Sequence, residues 1–383
     1  MNTSSCRISL PAHHRALRAW SSLSTLFVLI STTHLAQAAD DHAATPSLTK
    51  PTITRNPENP IIRPDMIPGK DQGAPAGWNI MFPSLIKVPS WLPNPLGKYY
   101  LYFSSHHGTY IRLAYADQVD GPWKIFAPGS MTLHEVDKAN LTKGDPQGHV
   151  ASPDVHVDDT NKKIRMYFHS KGAVGHMASV ALSDDGLHFK PLPGALGGPY
   201  FRVFQWKEKY YAIDREADIL RSNDGLTGFQ KVSGAFALAA DDPNSKSKSK
   251  KKNKSKDDED IPGRVRHTAI MLEDNLLSIF YTRTGDAPES IMMTRILLND
   301  DPKTWKAETP ILVLAPETDY EGVKLPIAES HGGTVIKTYE AAAGKTGMVH
   351  QLRDPFIYRE NGQQYLFYAV AGERGIGLAK MLP

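Results

Sequence analysis

The 383 residues include 44 Lys and Arg, 41 Asp and Glu and a single cysteine, and 40% are hydrophobic, which is chain enough to bury a large core. Arg7, Arg15 and Arg18 lie in the first 38 residues, so beyond them 41 bases meet 41 acids, and bulk charge excludes a partner such as nucleic acid. The one cysteine, Cys6, is in the same stretch, which excludes disulfides and thiolate chemistry from the rest.

Residues 1–38 combine those three arginines, no acid, the apolar LFVLI and Ala36-Gln37-Ala38, the pattern of a secretory signal peptide cleaved before Ala39. The expectation is export, to the periplasm or the medium. No second long apolar run suggests a membrane span. Residues 39–54 read as a flexible N-terminal segment, and 55–383 as one folded domain.

Within that domain one unit recurs. MFPSLIKV, ASPDVHVD, PYFRVFQW, RHTAIMLE and RDPFIYRE are first strands, three of them with a proline at the same point (Pro83, Pro153, Pro355). Each is followed by a second strand, GKYYLYFSS, KKIRMYFHS, KEKYYAIDR, DNLLSIFYTR or NGQQYLFYAV, the last after an Asn-Gly hairpin turn. A third strand follows, and in several units an aromatic, Trp123, Phe189, Phe229 or Trp305; Ser183 to Phe189 and Ser222 to Phe229 are nearly one sentence written twice. Residues 243–262 form a low-complexity, lysine-rich insertion between the third and fourth units. Five units of three to four antiparallel strands, with no convincing helix between them, predict an all-β, five-bladed β-propeller around a central channel; a two-sheet sandwich ranks second.

Propeller geometry gathers the starts of the five inner strands at one end of the channel, with the loops joining second and third strands. The starts supply Asn79, His149, Asp154, Tyr200, Arg202, Arg266, His267, Arg353 and Asp354, and the loops supply His106, His107, His169, Lys171, Arg283, Asp286, Glu289 and Glu373. This density of carboxylates, histidines and arginines predicts a binding or catalytic pocket.

With NPIIRP near its start, Pro-initiated inner strands, SxDGxxF turns and LRDPFIYRENG, the sequence over residues 55–383 resembles the propeller glycosidases of glycoside hydrolase family 43 and their fructan-cleaving relatives. The resemblance implies a catalytic carboxylate opening an inner strand, and an Asp in Arg353-Asp354-Pro355 that grips sugar hydroxyls. Phe82 and Ser152 depart from it, standing where the family carries Asp.

Glycoside hydrolysis needs two carboxyl groups about 5–10 Å apart. Alternation along the strand predicts that Asp154 shares a face with Ser152 and can oppose Asp354 across the channel. For the acid, Glu321 in DYEGVKLP is preferred to Glu289, because Glu321-Gly322 is similar to the family's Glu-Gly. Arg353 and Arg266 could grip an acidic sugar, and Asn79, His107, His149, His169, Tyr200, Arg202 and His267 complete the expected substrate site. His149, His267, Tyr200 and Arg202 would equally suit a polysaccharide lyase acting on a uronate, and the missing Asp at 82 and 152 leaves room for a non-catalytic sugar-binding propeller. No compact spacing marks a metal site in His106, His107 and His169. The expectation is a monomeric, exported glycoside hydrolase for a plant or algal polysaccharide fragment, anionic ones bearing carboxylate or sulfate included, with no required cofactor and room for a structural Ca²⁺.

Overall fold

The computed structural model describes residues 48–71, 73–106, 108–142, 148–172, 175–233, 263–330 and 347–382, all in the compact unit Ser47–Pro383. The expected signal peptide, the insertion at 243–262 and His107 lie outside the described residues.

Five four-stranded antiparallel sheets carry the fold. Blade one runs through Met81–Lys87, Tyr99–Ser104, Tyr110–Ala116 and Lys124–Thr132 from the channel outward. Blade two uses Val150–Asp158, Lys163–Gly172, Gly175–Ser183 and Lys190–Pro191, and blade three Arg202–Trp206, Lys209–Ile213, Ile219–Ser222 and Gln230–Ser233. Blade four is built from Val265–Glu273, Leu276–Arg283, Ile291–Leu297 and Ile311–Leu314. Blade five takes Arg353–Glu360, Gln363–Ala369 and Ile376–Leu382, and its outer strand is Thr52–Arg55 from the other end of the chain, paired antiparallel to Ile376–Leu382. That outer strand begins at Thr52, within the segment 39–54 read from sequence as flexible.

Alternating apolar residues make each blade two-faced, and each pair of adjacent blades closes on its own core. Leu101, Phe103, Phe367 and Leu378 lie between blades five and one; Tyr102, Met166, Phe168 and Phe189 between one and two; and Tyr167, Phe201 and Leu220 between two and three. Trp206, Ile213, Leu277 and Trp305 join three to four, and Phe280, Leu366, Tyr368 and Met381 join four to five. The turns from Ser183 to Phe189 and from Ser222 to Phe229, the second one residue longer, anchor this packing. In each, the serine Oγ accepts the glycine N–H, and Asp185 or Asp224 accepts two further backbone N–H groups at 2.8 Å. Partial burial favours the neutral acid, but those donors, and His188 on Asp185, hold both carboxyls down to about 2.

Candidate functional site

One backbone device, used in every blade, points residues at the axis. Phe82, Ser152, Tyr200, His267 and Asp354 all adopt the left-handed conformation, with φ between 41° and 64°. In four blades the inner strand slips register there, between Met81 and Ser84, Ala151 and Asp154, Arg266 and Ala269, and Arg353 and Phe356. Each is a β-bulge, which breaks the ladder and re-aims a side chain. The proline that follows Phe82, Ser152 and Asp354 needs no ladder hydrogen bond and so tolerates the break.

These side chains meet. The Phe82 ring lies 4.6 Å from His267 and 5.8 Å from Tyr200, and Tyr200 lies 4.8 Å from His267. His267 Nδ1 is paired with Asp354, both fully buried. Burial lowers the His267 pKa, opposed by the charge of Asp354. The second oxygen of Asp354, Oδ2, is buried and takes no hydrogen bond.

Beside this group an ion ladder crosses blades four, five and one. Arg266 and Arg353 both reach Glu289 Oε2, at 3.3 and 2.9 Å, and Thr282 donates to its Oε1 at 2.6 Å. Arg353 Nη1 binds Glu373 at 2.7 Å; Glu373 also takes Asn79, with His106 3.6 Å away. Burial would raise the Glu373 pKa, but His106, Arg353 and Arg266 hold it well below the usual carboxylate range. Because Arg353 bridges Glu289 and Glu373, their nearest oxygens are at most about 8 Å apart, given the small span of a guanidinium.

Arg374, next to Glu373, stacks 4.3 Å over the Trp78 ring, and its Nε and Nη1 are buried with no hydrogen-bond partner. Burial lowers its pKa. This is a shielded cation with unmet donors near Asn79.

Two expectations are corrected. Asp154 does not share a face with Ser152 as alternation implies: the bulge at Ser152 turns it toward the side of blade two that meets blade three, where it accepts Val203 N–H and pairs with His156 of its own strand, both at 2.8 Å. Its pKa is lowered; burial opposes this, and His156, Arg202 and the Val203 N–H outweigh it. Arg202 stands within the field of both Asp154 and Asp354, and burial nonetheless lowers its pKa. Glu321 is not at the channel. It is fully buried against blade five, where it accepts two bonds from Arg55 (2.8 and 3.1 Å), one from Tyr368 Oη (2.9 Å) and two from the backbone of residues 317 and 318. It caps its own short helix and clamps the N-terminal strand.

His149 and His169 are buried in blade two, with Nε2 atoms 3.1 Å apart. The sequence reading missed two groups. His176 joins that pair through strand pairing, and Asp214, at the channel end of blade three, has a pKa pushed up to about 6 by burial. Among the described residues the one trio of possible metal ligands is His149, His169 and His176, an all-nitrogen set unlike the oxygen cage that Ca²⁺ takes.

No family model matches the sequence. Among solved structures the chain is similar to a glycosyl hydrolase from Bacteroides ovatus, with a TM-score of 0.56, 11% identity and coverage of 88% of this chain and 95% of that one. It is similar also to a structure from work on the GH130 family of mannoside phosphorylases and its glycoside hydrolases for β-1,2 mannosidic linkages in Candida mannan (0.54, 12%, 88% and 95%). A putative glycoside hydrolase from Parabacteroides distasonis gives 0.53, 11%, 87% and 97%. The fold is thus the five-bladed propeller shared with these glycoside hydrolases. In sequence, the chain is 36% identical over 317 residues to the uncharacterized protein R118 of Acanthamoeba polyphaga mimivirus, covering 79% of this chain and 83% of that protein. It belongs to the same family as R118.

Proposed function

We propose that this protein is an exported carbohydrate-active enzyme, a glycoside hydrolase that takes a polysaccharide fragment bearing carboxylate or sulfate. The observation that carries the reading is Asp354: a carboxylate bulged onto the axis, paired with His267, with one buried oxygen left for a ligand or a reacting water. A buried carboxylate–imidazole pair with spare acceptor capacity is suited to moving a proton. Glu289 and Glu373, no more than about 8 Å apart across Arg353, offer a second carboxyl. Its neighbours hold Glu373 ionised, the state of a base or nucleophile rather than of a proton donor. Arg374, with its unmet donors, supports the anionic substrate.

One observation favours a second reading, β-elimination on a uronate. The Tyr200 ring packs against two imidazoles, His169 at 4.6 Å and His267 at 4.8 Å, the company a proton-abstracting phenol would keep. Incubation with neutral and uronic polysaccharides, reading both new reducing ends and unsaturated products, tests both. Reducing ends alone, lost in Asp354→Asn, support hydrolysis; unsaturated ends transfer the site to the lyase reading; neither product from any polymer removes the enzyme reading.

A further inference from the structure

The three histidines of blade two take no part in the hydrolytic chemistry above, although the His169 ring packs on Tyr200. His149 immediately precedes the inner strand, His169 lies in the second and His176 in the third. Ala151 pairs with His169 and His169 with Ala178, while His176 pairs with Lys171. Residues directly opposite in a ladder share a face, as do residues two apart on one strand, so all three imidazoles project from the same side of the blade. That side faces blade three, since Tyr167, two residues before His169, packs there with Phe201.

We propose that His149, His169 and His176 form a binding site for a divalent transition-metal ion of the zinc class, with the remaining coordination position open to water or to an oxygen of a bound ligand. One nitrogen from each ring lies within 4.8 Å of the others. The Nε2 atoms of His149 and His169 are 3.1 Å apart, close to the separation of about 3.3 Å for two nitrogens each about 2.05 Å from a tetrahedral ion. His149 and His169 are each only 1% exposed. The His169 Nδ1 is buried with no hydrogen-bond partner, so the polar contact of that ring runs through Nε2.

The donor set selects the ion. Three imidazoles suit Zn²⁺, Ni²⁺, Co²⁺ or Cu²⁺ and offer nothing to Ca²⁺ or Mg²⁺, which demand oxygen. Three protein ligands with an open position is also the count found at catalytic rather than structural zinc. The Tyr200 ring, 4.6 Å from His169, places the trio beside the axial group, so an ion here would contribute positive charge to the site's edge.

The test uses full-length protein purified without a histidine tag, stripped with a chelator, and titrated with ZnCl₂ while elemental analysis reads the metal retained after dialysis. The expected result is one equivalent of zinc per chain, with a rise in melting temperature that CaCl₂ and MgCl₂ do not give. His169→Gln should weaken zinc binding by more than the roughly 10–100-fold typical of losing a residue behind a ligand. Because that residue is buried, His176→Gln, at a half-buried position, serves as the second variant, with near-ultraviolet circular dichroism confirming its fold; it too should lose stoichiometric zinc. Substoichiometric zinc in the wild type, or a full equivalent retained by both folded variants, overturns the proposal.

Discussion

Replacing Glu321 by Gln separates a structural carboxylate from a catalytic one. The wild-type side chain is fully buried and accepts five hydrogen bonds, two from Arg55, one from Tyr368 and two from backbone N–H groups. Gln keeps one acceptor oxygen and puts an NH₂ in place of the other, so a donor faces donors and the half-buried Arg55 loses one of its two charge partners. Breaking a buried ion pair from one side costs about 3–5 kcal/mol. Arg55 keeps Glu317 at 2.8 Å and the Ala315 carbonyl at 2.8 Å, which relieves part of this and leaves an expected loss of about 2–4 kcal/mol. Equilibrium urea unfolding followed by tryptophan fluorescence reads the loss as a lower midpoint at unchanged slope. Turnover measured well below the unfolding transition should stay within about twofold of wild type. A midpoint equal to wild type, with turnover reduced a hundredfold or more, would refute the clamp and restore Glu321 as an acid.

Asp354→Asn preserves shape but removes the charge facing His267, and turnover on whatever substrate the panel identifies should fall by about 10²–10⁴-fold with the melting temperature little changed; full activity in the variant ends the assignment. Asp214 has a folded pKa of about 6 against 3.8 unfolded, so the native state holds its proton more tightly and stability falls as pH rises from about 4 through 6. Asp214→Asn, which keeps the oxygen that accepts the Glu216 and Asp218 N–H groups, should therefore stabilise by about 1–3 kcal/mol at pH 8 and change little at pH 4, read by denaturation at the two pH values. Arg374→Met should raise KM for an anionic substrate and flatten its dependence on added salt while leaving kcat within a few-fold; a salt slope equal to wild type would place the anion elsewhere.

The strands were legible because aromatic and β-branched residues alternate through them, and Arg353–Glu360 forms over the residues read as RDPFIYRE. The bulges were half legible. Pro83, Pro153 and Pro355 mark the place in three blades, but nothing in Tyr200 or His267 announces a left-handed backbone, because tertiary packing imposes it. That unseen bulge is why period-two counting misplaced Asp154. Glu321 carried its own warning in Thr318-Asp-Tyr-Glu321, a capping-box spacing that the structure realises through Thr318 N–H to Glu321 at 3.1 Å. His176 was out of reach, since its meeting with His149 depends on the register of two hairpins rather than on any local spacing.

Blade five has a consequence for the order of events during synthesis. Its outer strand, Thr52–Arg55, is among the first parts of the domain to leave the ribosome, and its partner, Ile376–Leu382, is among the last. The early strand must wait, unpaired, through the making of four other blades, and Arg55 waits with it for Glu321. Contacts between residues so distant in sequence are slow to form, and they make closure of the ring a late step of folding. A protein handed across a membrane before that step would travel with its ring still open.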